Sequence, residues 1–180
     1  DQWASHPPEV AGRLAELEAR GAVRWLRLEE PSIPGAMNLG LRAASAEVVL
    51  FVDDDVVPAP DLVARHREAQ HEAGVVVVAG QVLQPGEEPA PLSGAQFAFR
   101  SSLRQQVDEV IGCNFSVRRA SALACGGFDE NFVQVAYRYE ADFCRRIRPH
   151  GSVLFAPAAS LRHLRPPRGG TRSYGSPLRT

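Results

Sequence analysis

Apolar residues recur at two different periods along this chain, and each change of period marks an element. In residues 7–20, Val10, Leu14 and Leu17 return at helical spacing, Pro7 and Pro8 suit a first turn, and Gly21 stops the run. Residues 22–28 alternate and predict a strand, with Val23, Trp25 and Arg27 facing away from Leu26 and Leu28. Residues 33–44 predict a helix opened by a Pro-Gly turn. Residues 47–52 form an apolar, β-branched run that predicts a strand buried on both faces, as in a parallel sheet. That run ends abruptly in Asp53-Asp54-Asp55.

Pro58 and Pro60 then predict a loop, and Asp61 caps a helix reaching about Ala73. Residues 75–83 predict a second buried strand, and residues 84–91 a proline-rich surface loop. Residues 93–109 carry no clear period. Beyond them come a strand at 110–117, a short helix at 118–125 ended by Gly126-Gly127, and a helix at 139–148 closed by Gly151. Strands at 152–155 and 159–164 complete the pattern. From Arg165 the chain is rich in Pro, Gly, Arg and Ser, which predicts a flexible tail or lid over 166–180. Alternating helices and strands describe an α/β sheet, and such sheets bind ligands outside the carboxyl ends of their strands. The three aspartates lie at that end of an apolar strand.

Composition narrows the chemistry. A net charge of -1 over 180 residues offers no bulk attraction to nucleic acid or an anionic membrane. All 20 basic residues are Arg, so chemistry that requires a Lys is excluded. Cys113, Cys125 and Cys144 are odd in number, widely spaced and set among apolar neighbours. They read as buried structural thiols in a reducing, cytoplasmic setting, not as a disulfide framework or a zinc knuckle. No stretch reaches transmembrane length.

Adjacent carboxylates in a low-dielectric setting repel one another, so their ionised forms need water or a cation. In extended backbone Asp53 and Asp55 share a side while Asp54 points away. A hard ion such as Mg²⁺ or Mn²⁺ uses one or two carboxylates plus substrate phosphates, and this pattern suits it. Glu140 and Asp142 open a helix, where acidic residues offset the dipole and where a carboxylate is also placed to accept a proton. His163 follows a strand and can complete a site begun by carboxylates. In the tail, Gly169 and Gly170 hinge a segment whose Arg172 can close over a pyrophosphate.

Taken in order, Pro34-Gly35-Ala36-Met37-Asn38-Leu39-Gly40, Val49-Leu50-Phe51-Val52-Asp53-Asp54-Asp55, Gly112-Cys113-Asn114, Gly126-Gly127-Phe128-Asp129-Glu130, Glu140-Ala141-Asp142 and His163 resemble the family-two glycosyltransferases. The resemblance implies a GT-A-like fold, with a Rossmann-like, mostly parallel sheet flanked by helices. It implies inverting transfer of a sugar from a nucleotide-diphosphate donor to an acceptor hydroxyl (glycan, lipid-linked or small molecule) with Mg²⁺ or Mn²⁺. It assigns Asp53, Asp55 and His163 to the metal, Asp1 and Asp53 to the donor, and Glu140 with Asp142 to catalysis; Asn38, Asp54 and Arg172 are further candidates for binding the donor. Tyr139 stands where the family commonly has Glu, which moves the base onto Glu140. Residues 1–165 are then the catalytic core, with the family's first strand expected to precede residue 1. The protein is expected in the cytoplasm or at the inner face of a membrane.

Two other readings share the aspartates. A haloacid-dehalogenase-type phosphatase uses Asp-x-Asp-x-Val after an apolar strand, but also needs a cationic partner, usually Lys. A sugar-nucleotide-binding relative without turnover is the second.

Overall fold

The computed structural model describes residues 6–134 and 136–165. Helix α1 (Pro8–Ala19) leads to α2 (Ile33–Ala43), and both start with proline in the first turn. In α2 the Ser32 hydroxyl accepts from the Gly35 N–H and so caps the helix. The predicted strand at 22–28 does not form; those residues have no regular structure. Trp25 instead stacks under the Arg27 guanidinium, 3.7 Å from its ring centroid. Alternation alone makes no strand where no partner strand offers a ladder.

The sheet runs β1 (Val48–Val52), β5 (Asn114–Arg118), β3 (Val75–Leu83), β6 (Ser152–His163) and β2 (Val56–Pro58), with β4 (Gln105–Gln106) also on β6. Among the named strands of the described residues, β3 and β6 pair in parallel, whereas β1 with β5, β5 with β3, β2 with β6 and β4 with β6 are antiparallel. A mostly parallel sheet is therefore not found among the described residues, although the layering of helices on a mixed sheet is. Nor is β1 buried on both faces. It lies at the edge of the described sheet and is only partly buried, so its apolar character reflects packing of Phe51 and Val49 onto the core. The fully buried strand is β3, whose nine residues are all covered.

Helix α3 (Leu62–Gln70) starts at Asp61, but the Asp61 carboxylate pairs with Arg65 one turn on and caps nothing. The strands predicted at 152–155 and 159–164 are one strand, β6. Its register against β3 slips between the Gly80–Ala156 and Gln81–Ser160 pairs, and this bulge is what split the hydrophobic pattern. Helices α4 (Arg119–Ala124) and α5 (Tyr139–Ile147) fall where the sequence puts them. α5 closes the main core: Phe143 stacks on Phe128 at 4.2 Å between centroids, and Phe115 and Phe51 continue the aromatic cluster.

Candidate active site

The chain leaves β1 at Val52, bends through Asp54 and Asp55, and enters β2 at Val56. Sequence reading took β2 for a loop because of its prolines. As a short edge strand it tolerates them, and it pairs Val56 with His163. The Leu164 N–H then donates to the Asp55 carbonyl at 2.8 Å. These two links bring the end of β6 against the aspartate turn.

His163 Nε2 lies 3.1 Å from Asp55 Oδ1 and 4.0 Å from Asp53 Oδ2. Its Nδ1 is 3.1 Å from Gln84 Oε1. With Nδ1–H donating to that amide oxygen, Nε2 turns its lone pair toward two carboxylates. Acceptors so close need a proton or a cation between them. The donor set of two carboxylates and an imidazole fits a divalent ion of the Mn²⁺ or Mg²⁺ type. The Asp53 side chain, 51% exposed, leaves the approach open to water and phosphate oxygens. Asp54 is exposed, beside the cluster in sequence but on no shared contact with His163.

The Cys113 thiol shares this corner: a ligand atom from each of Asp53, Cys113 and His163 lies within 4.8 Å of the others. Cys113 is buried, as its apolar neighbours predict, and burial together with the Asp53 charge pushes its thiol up to about 12.

Glu140 comes from the first turn of α5. Burial raises its carboxyl above the usual range, Glu109 and Asp53 add to that, and its own N–H and that of Gly112 oppose it. A carboxyl in this position can serve as a proton acceptor. Gly112 is what admits it. A Cβ there would lie 2.4 Å from the Tyr139 hydroxyl and 3.1 Å from Glu140 Oε1. Tyr139 is itself buried, and burial raises its phenol.

Asp142 is not brought to this cluster. Its carboxylate accepts from Arg146 Nε at 2.8 Å, and Arg146 in turn donates to the Cys125 and Gly127 carbonyls. Asn38 is also placed elsewhere. Its amide nitrogen donates to the Phe128 carbonyl and Glu130, and its oxygen accepts from the Phe128 N–H. These bonds pin α2 to the Gly-Gly-Phe-Asp-Glu loop and occupy the amide expected to touch the donor. Asp1, Arg172 and the predicted tail at 166–180 lie outside the described residues.

A buried polar knot behind the site escaped sequence reading. His66 of α3 is 2% exposed, with Nε2 2.9 Å from Asn114 Oδ1 and Nδ1 3.0 Å from Ser116 Oγ. The Asn114 amide nitrogen donates to the Gln81 and Ala159 carbonyls, which fixes its oxygen as the acceptor and Nε2 as the protonated ring nitrogen. Asn114 follows Cys113 and pairs in register with Val52, the residue before Asp53. The knot thus holds β3, β5 and the β6 bulge in the register that aims the site. Gly80 is its one sequence signal: a Cβ there would sit 2.2 Å from the Asn114 amide nitrogen.

The model of glycosyl transferase family 2 matches residues 5–126. Among solved structures, GalNAc-T7 with UDP, GalNAc and Mn²⁺ superposes with TM-score 0.70 at 13% identity, over 88% of this chain and 36% of that one. The mannosyltransferase PcManGT from Pyrobaculum calidifontis, in complex with GDP-Man and Mn²⁺, superposes with TM-score 0.65 at 20% identity, over 92% of this chain and 47% of that one. The chain therefore spans about a third to a half of the length of these structural relatives. No curated protein matches it. Among the described residues no helix is long and apolar enough to cross a membrane.

Proposed function

The chain belongs to glycosyl transferase family 2, and from that premise we propose that it transfers a sugar from a nucleotide-diphosphate donor to an acceptor hydroxyl, with inversion at the sugar carbon. The observation that carries this reading is the meeting of Asp53, Asp55 and His163 at one corner, with Glu140 close enough for the Asp53 charge to act on it. The similar structures contain UDP or GDP-Man with Mn²⁺, which supports the same donor and metal class here. A haloacid-dehalogenase-type phosphatase is set aside by the family match, as the missing Lys already argued.

Asp53, Asp55 and His163 hold the divalent ion, Mg²⁺ or Mn²⁺. When bound, it supplies positive charge for the departing diphosphate. Asp55 is the less exposed carboxylate at 20%, and the half-exposed Asp53 would be the one open to the donor's phosphates. Gln84 keeps the His163 ring in the tautomer that presents Nε2. Glu140 takes the acceptor's proton at its carboxylate as the hydroxyl oxygen bonds to the sugar carbon. Its partly buried position excludes water that would compete for that proton. Asp142 supports the reaction indirectly: through Arg146 it fixes the start of α5 against the Gly126-Gly127 turn. Residues 1–165 serve as the catalytic core, and the donor-binding roles expected of Asp1, Asp54 and Arg172 are part of the same proposal.

The test is to incubate the full chain with a panel of nucleotide sugars and Mn²⁺ and follow release of nucleoside diphosphate, with and without Asp55→Asn. Metal-dependent release lost in the variant supports the proposal. Donor binding without any release would instead make this a non-catalytic relative, and release unaffected by a chelator would refute the metal assignment.

A further inference from the structure

Cys113 has no part in the chemistry above. Its position still makes the corner a mixed oxygen, nitrogen and sulfur site. One donor atom each from Asp53, Cys113 and His163 lies within 4.8 Å of the others, and Asp55 Oδ1 is 3.1 Å from His163 Nε2. Tetrahedral zinc, with bonds of about 2.0–2.3 Å, sets its ligand atoms roughly 3.3–3.8 Å apart. The donor atoms of Asp53, Cys113 and His163 reach that spacing by movements on the order of 1 Å. The sulfur cannot swing away. Cys113 is 4% exposed, packs against Val82 and Leu161, and precedes Asn114, whose side chain is tied to β3, β6 and α3. Access comes instead from the half-exposed Asp53 side.

We propose that this corner binds a thiophilic divalent ion of the zinc class in a second mode, with Cys113 Sγ as a protein ligand beside Asp53 and His163. The S–H bond breaks on binding, its electron pair goes to the ion, and the proton leaves to solvent. Mn²⁺ and Mg²⁺ prefer oxygen donors, leave the thiol alone and keep positions for water and phosphate. A zinc-class ion held by these three protein ligands has one tetrahedral position left, against the several that an octahedral ion keeps for water and phosphate. Zinc-class ions therefore inhibit by competing with Mn²⁺ and Mg²⁺ for Asp53 and His163 and leaving fewer positions for the donor. That inhibitory consequence rests on the glycosyl-transfer reading above; the coordination itself does not.

Cobalt reports the sulfur directly. Co²⁺ titrated into the full chain is expected to give a sulfur-to-cobalt charge-transfer band in the near ultraviolet, which Zn²⁺ bleaches. Cys113→Ser should abolish the band and weaken Zn²⁺ by more than about tenfold, while Mn²⁺ binding followed by electron paramagnetic resonance stays. Retained Mn²⁺ binding also shows that the variant is folded. Co²⁺ bound without the band, or Zn²⁺ affinity unchanged in Cys113→Ser, would overturn the inference and leave the Mn²⁺ site standing. A Zn²⁺-bleachable band in a protein that never takes Mn²⁺ would support the sulfur site and count against the proposed function.

Discussion

Gly112→Ala is the sharpest perturbation this structure offers, because one methyl group addresses the proposed base without touching the metal ligands. The backbone at Gly112 is not in the left-handed region, so the cost is steric alone. The added Cβ would sit 2.4 Å from the Tyr139 hydroxyl oxygen, 3.1 Å from Glu140 Oε1 and 3.5 Å from Tyr139 Cζ. Ordinary contact begins near 3.4 Å, so the phenol must retreat by about 1 Å and the carboxylate by a few tenths. Tyr139 is buried and has little room to retreat, so α5 shifts with it. Overpacking of this kind costs about 1–3 kcal/mol of stability. A misplacement of about 1 Å costs on the order of 10²-fold in rate. We expect kcat to fall about that far with Mn²⁺ affinity unchanged. The assay is steady-state release of nucleoside diphosphate beside Mn²⁺ binding and thermal unfolding. Adding Tyr139→Phe deletes the atom at 2.4 Å and leaves the tightest contact at 3.1 Å, so the double variant should recover most of the lost rate. Full turnover in Gly112→Ala, or no recovery in the double variant, would refute the placement of Glu140 against Gly112.

Glu140→Gln should lower turnover by about 10²–10⁴-fold with donor binding intact, and Asp142→Asn should lower the unfolding temperature more than the rate; single-turnover kinetics beside calorimetry separate the two. His66 has its pKa lowered by burial, so the unfolded chain protonates first. Its contribution to stability is whole above the ordinary value of 6.5 and is lost as pH falls toward the lower folded value. Denaturant titrations should show stability falling below about pH 6.5, with a smaller fall in His66→Gln. Gly80→Ala should destabilise by at least about 1–3 kcal/mol, because the new Cβ meets the Asn114 amide at 2.2 Å and the Ala159 carbonyl at 2.4 Å; an unchanged urea midpoint would show that the knot yields.

The sequence by itself determined the elements whose cause is local. Helical spacing and proline starts placed α1 and α2, a run of β-branched residues placed β3, and an abrupt change from apolar to acidic marked the aspartate turn. It also put Asp53 and Asp55 forward, because carboxylates at a strand end are conspicuous against their neighbours, while His163 and Glu140 gained their roles from the family resemblance. What it could not decide were pairings between distant segments. Strand direction, the edge position of β1 and the failure of residues 22–28 to form a strand depend on which ladder partners are present. The bulge that makes one strand of two apolar runs depends on Asn114 reaching the Ala159 carbonyl across 45 positions. The same holds for side chains whose chemistry suits several roles. Asn38 and Asp142 are polar residues in motif positions, yet contacts 90 and 4 residues away, to Phe128 and Arg146, occupy them. Cys113 reads as a core thiol from its apolar neighbours, and only the meeting of three strand ends sets it beside His163 and Asp53. Local free energies are written in short windows of sequence, whereas a site is a coincidence of segment ends that only the packed chain brings about.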